Sequence, residues 1–339
     1  MAKGSYIAVG ENIHCTRVRM TSGKSIETLP DGSRALAFKE GGEARSLPIP
    51  AAIVAGDEWA KGKIRHVAVA IQQGLYGSSK EQDLGRRYIE SLALEQEANG
   101  AWFLDLNVDE FSLDRAEKTK AIRWTAGVIQ KAVSIPLSVD SSDSEILKAG
   151  LQACDPSKGA PLVNSISLER AAFIPEAAAA KACVIASSSG ESSMPSSVDE
   201  RLANMERLME KLAAAGFSHD RIFLDPLVYT ASVDMGNPQR VIDTIKAFRA
   251  KYGKDIHFAP GLSNVSFGLP RRPVINLVFA RLCLDAGCDG GIVDPLQVND
   301  RTLAGIDFGV EAYNLARELL LDRDEYGMNY ITACREAKA

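Results

Sequence analysis

Short apolar segments that end in polar or small residues alternate with longer amphipathic segments eight times along this chain. Few folds accommodate that rhythm. The apolar segments are YIAVGENI (6–13), AWFLDLNV (101–108), IPLSVDSS (135–142), PLVNSIS (161–167), CVIASSS (183–189), IFLDPLVY (222–229), IHFAPGLSNV (256–265) and GGIVDPL (290–296). Rich in β-branched residues and bounded by turn formers, they read as strands buried on both faces. Eight strand–helix units fit a (β/α)8 barrel of the α/β class better than an open doubly wound sheet. The open sheet has fewer units and a Gly-rich first turn. No G-x-G-x-x-G or Walker A segment occurs, so nucleotide phosphate binding is not expected. A chain of 339 residues is within the range of one such domain, 1–339.

Helical spacing fills the gaps. DLGRRYIESLALEQEANG places Leu84, Ile89, Leu92 and Leu94 along one side, with Gly100 as the stop. In SVDERLANMERLMEKLAAAG, Ser197 and Glu200 form a capping-box signature. Leu202, Met205, Leu208, Met209 and Leu212 then keep helical spacing up to Gly216. RPVINLVFARLCLDAG and RTLAGIDFGVEAYNLARELLL form the last two helices, with Pro273 near the start of the first.

One stretch breaks the rhythm. Residues 14–83 form a long insertion after the first strand, in which ETLPDGSRALAF predicts a hairpin around Pro30-Asp31-Gly32. VAVAIQQGLYGSS fits either a strand or a short helix. A loop after a barrel strand belongs to the C-terminal face, so the insertion is expected to cap or flank the site, unless it is a peripheral decoration.

Composition excludes several classes. The formal net charge is −5 and no Lys/Arg run stands out, so nucleic acid is not expected as a partner. No apolar run reaches the length of a membrane span. MAKGSYIAVG lacks the apolar core of a signal peptide, which predicts a cytoplasmic protein. The six cysteines form no C-x-x-C pair and read as small core residues.

The strand ends carry the chemistry. They hold Glu11 and Asn12; Asp105 and Asn107; Asp140 and Asp143; Asn164; Ser187 to Ser189; Asp225; Ser263 and Asn264; and Asp294. In a barrel these ends converge on one cavity. Carboxylates, amides and hydroxyls with almost no cation suit a neutral ligand rich in N–H donors and ring nitrogens, and do not suit a phosphate. Singly, each residue also fits a local role: Asp225 as an acceptor for loop backbone, Asn264 as a turn residue. His14 and His257 lie near strand ends, His66 in the insertion and His219 in a loop. No ligand spacing links them, so no metal site is expected.

The set GENI, LDLNV, VDSS, NSIS, LDPL and GLSNVSFGLPRRPVIN resembles the methyltetrahydrofolate–corrinoid methyltransferases. These are pterin-binding barrels akin to the folate domain of cobalamin-dependent methionine synthase and, more distantly, to dihydropteroate synthase. The similarity covers roughly 5–13 and 84–320, and GLSNVS followed by RPVIN is its most specific part. The resemblance implies that Asp105, Asp143 and Asp225 hold the pterin ring, and that Asn264 contacts N5 of the folate. The remaining strand-end groups expected to bind the ligand are Glu11, Asn107, Asn164 and Ser263. Two positions depart from the family: Asp143 stands where an Asn is usual, and Phe267 takes a place often held by Gln. As a carboxylate among carboxylates, Asp143 is expected to have a raised pKa. Asn264, Asp225 and Asp143 are the residues expected to take part in catalysis.

The implied reaction moves a methyl group between a methylcorrinoid and tetrahydrofolate, with 5-methyltetrahydrofolate as the methylated form. The corrinoid signature D-x-H-x-x-G is not met, because Gly261 in DIHFAPG falls one place late. The corrinoid is therefore expected on a separate corrinoid protein, with the chain itself a homodimer. The long insertion leans the direction towards folate, in a demethylation pathway. Two rival readings are a dihydropteroate synthase-like enzyme and a non-catalytic pterin-binding subunit. The first wants a cation where Asp294 stands.

Overall fold

The computed structural model of the chain describes residues 4–336. The first three residues of MAKGSYIAVG and the last three of the expected 1–339 domain lie outside the described residues. The fold is the (β/α)8 barrel that the alternation predicts. Its strands are β1 (Ile7–His14), β2 (Ala101–Asn107), β3 (Leu137–Asp140), β4 (Leu162–Ile166), β5 (Cys183–Ser187), β6 (Ile222–Asp225), β7 (His257–Phe258) and β8 (Gly290–Val293). They run in the order β7-β6-β5-β4-β3-β2-β1-β8 within one eight-stranded sheet. β8 also meets the segment after β7, where Gly261 bridges Ile292 in parallel and the Ile292 N–H donates to the Pro260 carbonyl at 2.8 Å.

Most strands stop earlier than the sequence suggests, because their polar ends begin turns. In β6 the Asp225 carboxylate accepts the N–H of Leu227 at 3.0 Å. After β8, Asp294 accepts the N–H of Leu296 at 3.1 Å and the side-chain amide of Gln297 at 2.6 Å. An Asp that bonds the backbone two residues on replaces the ladder with a turn. The largest difference is at β7. The strand is only His257–Phe258, and Leu262–Ser266 forms a 3-10 turn, so Asn264 stands on that turn and not on a strand.

The chain divides into two compact units. Among the described residues one comprises 4–10, 99–102 and 162–336, the other 11–98 and 103–161. In the first unit β5 pairs in parallel with both β4 and β6. Opposite Ile185 of β5, the register of β4 slips across Asn164 and Ser165, a bulge. The helix Val198–Ala214, here α1, opens with the expected capping box of Ser197 and Glu200, and buries Met205, Leu208, Met209 and Leu212. The helix Arg272–Asp285, here α2, carries Pro273 in its first turn as expected. His257 of the DIHFAPG segment is accounted for locally: its Nδ1 lies 2.7 Å from an Asp289 oxygen and its ring stacks on Phe223 at 5.0 Å.

In the second unit β2 pairs in parallel with β3. The expected hairpin is present: Ile26–Thr28 pairs antiparallel with Arg34–Glu40, and Glu43–Pro48 adds a third strand. The ambiguous VAVAIQQGLY is a helix, His66–Tyr76, whose His66 is buried with Nδ1 2.9 Å from the Tyr88 hydroxyl. The next helix, Ser79–Ala98, buries Ile89 and Leu92, whereas Leu94 is exposed. Two residues along a helix turn roughly 200°, so Leu92 and Leu94 cannot share a face. The insertion also reaches the strand ends of its own unit. Arg17 donates to the carbonyl and carboxylate of Glu11, and Arg65 pairs with Glu110 at 2.5 Å.

Cys15, Cys283, Cys288 and Cys334 are buried, and burial pushes the Cys288 thiol up to about 12. They behave as inert core residues. Among the described residues no helix is long and apolar enough to cross a membrane.

Candidate active site

Polar strand ends gather into one cluster in each unit. In the second unit the cluster stands on three strands. Asn12 and His14 occupy alternate positions of β1, and Asp105 and Asn107 do the same on β2, so each pair shares a face. Asp140 ends β3. Asp105 is fully buried and Asn107 nearly so. His14 Nε2 lies 2.9 Å from an Asp105 oxygen. The Asn107 amide donates to Asp140 at 2.9 Å, and its oxygen accepts the N–H of Asp109 at 3.0 Å. Gln96, buried on the Ser79–Ala98 helix, accepts the N–H of Asn12 at 3.0 Å.

The charges follow from this packing. Burial pushes Asp140 up to about 7; Asp105 and, less, Asp109 add to the rise, against His14 and the Asn107 amide. Burial by itself would lower His14. The hydrogen bond to Asp105 and the charges of Asp105, Asp140 and Glu11 outweigh it, and its pKa is raised. The ligand-capable atoms of His14, Asp105 and Asp140 lie within 4.8 Å of one another.

In the first unit the cluster gathers around β6. Asp225 ends that strand, and burial pushes it up to about 6 against the opposing pull of the Leu227 N–H and the Arg201 charge. Leu227 adopts a positive φ of 64°, a strained backbone next to the carboxylate. Ser188, just past β5, donates its N–H to the Asp225 carbonyl at 3.0 Å. Arg201 is fully buried on α1 with its guanidinium 5.5 Å from the centre of the Tyr229 ring. Ser187 is buried with its hydroxyl 3.3 Å from that of Ser189. Asn164, half-buried, stands in the β4 bulge.

Asn264 is exposed on its 3-10 turn. A side chain at Gly261 would place its Cβ 3.0 Å from the Asn264 amide nitrogen, so the glycine makes room for that carboxamide. The Ser263 carbonyl accepts from Arg272 at 3.0 Å, and the Arg272 guanidinium lies 4.2 Å over the half-exposed Phe267 ring.

Asp143 differs from its expectation. It caps the helix Ser144–Gln152 by accepting the Glu145 N–H at 2.9 Å and pairs with Arg115 at 2.7 Å. Burial would raise its pKa, but these bonds hold it below the usual carboxylate value, so the expected rise is corrected to a fall. The raised carboxylate is Asp140, three residues earlier. Glu11 is engaged by Arg17, and Asp294 by its own turn. The residues absent from the expected site set are His14, Gln96, Asp140 and Arg201. Arg201 lies on the same helical face as Met205, Leu208 and Leu212, a spacing that marks it as buried.

Carboxylates and amides at the strand ends of a (β/α)8 barrel have the acceptor chemistry that suits a ligand rich in N–H donors. Residues 82–294 match the pterin binding enzyme family, and the chain belongs to that family. It is 29% identical over 259 residues to a methylcorrinoid:tetrahydrofolate methyltransferase of Eubacterium limosum, covering 74% of this chain and 88% of that protein. It is 30% identical over 247 residues to methionine synthase of Mycobacterium tuberculosis, covering 68% of this chain but 20% of that longer protein. The family resemblance read from the sequence motifs is thereby borne out. Among solved structures, dihydropteroate synthase of Xanthomonas albilineans in complex with 7,8-dihydropteroate aligns with a TM-score of 0.52 at 16% identity. The match covers 65% of this chain and 83% of that one. At that identity the likeness concerns the fold alone.

Proposed function

We propose that the chain is a methyltransferase that moves a methyl group from a methylcorrinoid, carried by a partner protein, to N5 of tetrahydrofolate. The observation that carries this reading is the second unit's cluster. Asp140 is held well above the ordinary carboxylate range in a buried setting, beside the fully buried Asp105. The amino and N–H groups of a pterin are donors of the kind that buried carboxylates and carboxamides at strand ends accept. The relatives' names, the first of which states both reactants, agree with it.

In this reading Asp105, Asn107 and Asp140 accept from the pterin, and Asp225 does so at its own strand end. Asn264 serves N5. As N5 takes the methyl, the cobalt–carbon bond breaks with its electron pair left on cobalt, and the proton of N5 must leave. A carboxamide can accept from N5–H⁺ and donate to the free nitrogen by rotating, so it serves both directions. Its interaction grows as charge builds on N5, which is where it lowers the barrier. The corrinoid supplies the methyl–cobalt chemistry, and this chain's residues orient the folate.

The test mixes the protein with methylcobalamin and tetrahydrofolate and follows the cobalamin absorption. Loss of the methylcobalamin band that depends on both protein and folate is expected. A spectrum that stays constant with free methylcobalamin and with a methylated corrinoid protein overturns the reading.

A further inference from the structure

We propose that Thr230 and Ser232 are positioning residues: their hydroxyls lock the turn that carries Asn264 to the loop that begins at Asp225, so that the side chain serving N5 keeps its place. This rests on the reading of Asn264 given above and adds two residues to it.

Asn264 is exposed, so its place is set by the turn Leu262–Ser266 on which it stands. That turn has modest bonds of its own. The Asn264 N–H donates to the Gly261 carbonyl at 3.2 Å, and the Phe267 N–H to the Asn264 carbonyl at 3.3 Å. Bonds at the long end of the range in one 3-10 turn are a weak support.

The loop after β6 adds to it. The Ala231 N–H donates to the Val265 carbonyl at 2.9 Å, and both residues are fully buried. On either side of Ala231, the hydroxyls of Thr230 and Ser232 both donate to the Phe267 carbonyl, at 2.7 and 2.8 Å. The two hydroxyls lie 3.1 Å apart. Gly268 admits this approach: its φ is +79°, and a Cβ there would stand 3.0 Å from the Ser232 hydroxyl. Successive residues of the loop thus close on the end of the Asn264 turn.

The loop is itself anchored. It starts at the Asp225 carboxylate, which accepts the Leu227 N–H, and Leu227 holds a positive φ. Further on, the Tyr229 N–H donates at 2.8 Å to the side-chain oxygen of the fully buried Asn237. Arg272 of α2 also grips the turn, through the Ser263 carbonyl and the Ser266 hydroxyl, both at 3.0 Å. That grip ties Asn264 to a helix, whereas residues 230–232 tie it to the loop of Asp225. Without the two hydroxyls, water can satisfy the exposed Phe267 carbonyl, so the fold survives. A reacting group displaced by a fraction of its reach loses rate all the same.

The test pairs Thr230→Val with Ser232→Ala, which removes both hydroxyls and keeps the bulk at 230. The rate is followed with methylcobalamin and tetrahydrofolate, and tetrahydrofolate affinity by anaerobic calorimetry. The expected result is a kcat about tenfold below wild type with a Kd within about twofold. Backbone hydrogen exchange over residues 261–268 should quicken. Using Thr230→Ser in place of Thr230→Val returns one hydroxyl and should recover most of the lost rate. In an Asn264→Ala background the same pair should cost less than about twofold more, because the hydroxyls act through Asn264. A full tenfold loss in that background overturns the proposal. So does a kcat within about twofold of wild type, unchanged exchange, or a Kd that rises as much as kcat falls. Should the pair not fold, Ser232→Ala alone is held to the same criteria. Asn264→Ala by itself separates the failures. If it lowers kcat and the hydroxyl pair does not, only the positioning assignment falls; if neither does, the reading of Asn264 falls too. A wild type that transfers no methyl group removes the function on which both rest.

Discussion

Each unit of this protein sets a carboxylate at a strand end near a basic side chain, but the two basic groups differ. In the second unit Asp105 and Asp140 face His14, whose charge depends on pH. In the first unit Asp225 faces Arg201, whose charge is permanent. The contact is also of a different kind. His14 touches its carboxylate, whereas Arg201 acts on Asp225 through space and lies over Tyr229. One cluster is thus adjustable, and the other is a fixed part of the core.

The comparison breaks most visibly at Arg201. Arg201→Ala removes a large, fully buried side chain that packs over Tyr229 and weakly offsets the charge of Asp225. An expected loss of about 3–5 kcal/mol should appear in urea unfolding. A loss under about 1 kcal/mol would mean that the guanidinium is dispensable and the two cations are not counterparts.

Next in size are the carboxylates themselves. Asp105→Ala and Asp225→Ala should each weaken folate binding by about 1.5–3 kcal/mol, tenfold or more, in calorimetry. Loss in only one variant would assign the pterin to one cluster. Asn264→Ala should lower kcat clearly and folate affinity less, because its contribution grows with charge on N5. A normal kcat with a raised KM would make it a binding residue only.

A smaller effect sharpens the contrast in pH response. The folded pKa of Asp140 is raised from 3.8 to about 7, so the protonated form favours the fold. That contribution is fully present below 3.8 and is lost as pH rises through about 7. Asp140→Asn lacks this loss, so its melting temperature relative to wild type should climb between pH 4 and 8. A constant difference would place the buried charge elsewhere. The smallest effect is expected at Asp143→Asn, within about 0.5 kcal/mol and with an unchanged pH–rate profile. Asn caps a helix as well as Asp does, and the lost Arg115 pair is exposed on the arginine side.

The fold is legible in the sequence because its signals are local. Capping at Ser197, the hairpin at Asp31 and the eight apolar runs each declare themselves within a few residues. The ends of the strands are not, since a turn made by Asp225 or Asp294 and a continuing strand share the same residue types. Asp105, Asn107 and Asp225 stand out as site residues by their place after buried strands. His14 and Arg201 do not, because their importance lies in partners distant in sequence, Asp105 and Asp140 for the one and Asp225 for the other. Asp143 misleads for the same reason: the Arg115 that holds it is 28 residues away.

The missing side chain at Gly261 has a consequence for how this protein can change. Its absent Cβ would sit 3.0 Å from the Asn264 amide, so the two positions share one small volume. An alanine at 261 requires the Asn264 carboxamide to give way slightly from its present place. Among relatives that keep this turn, residues 261 and 264 should therefore vary as a pair.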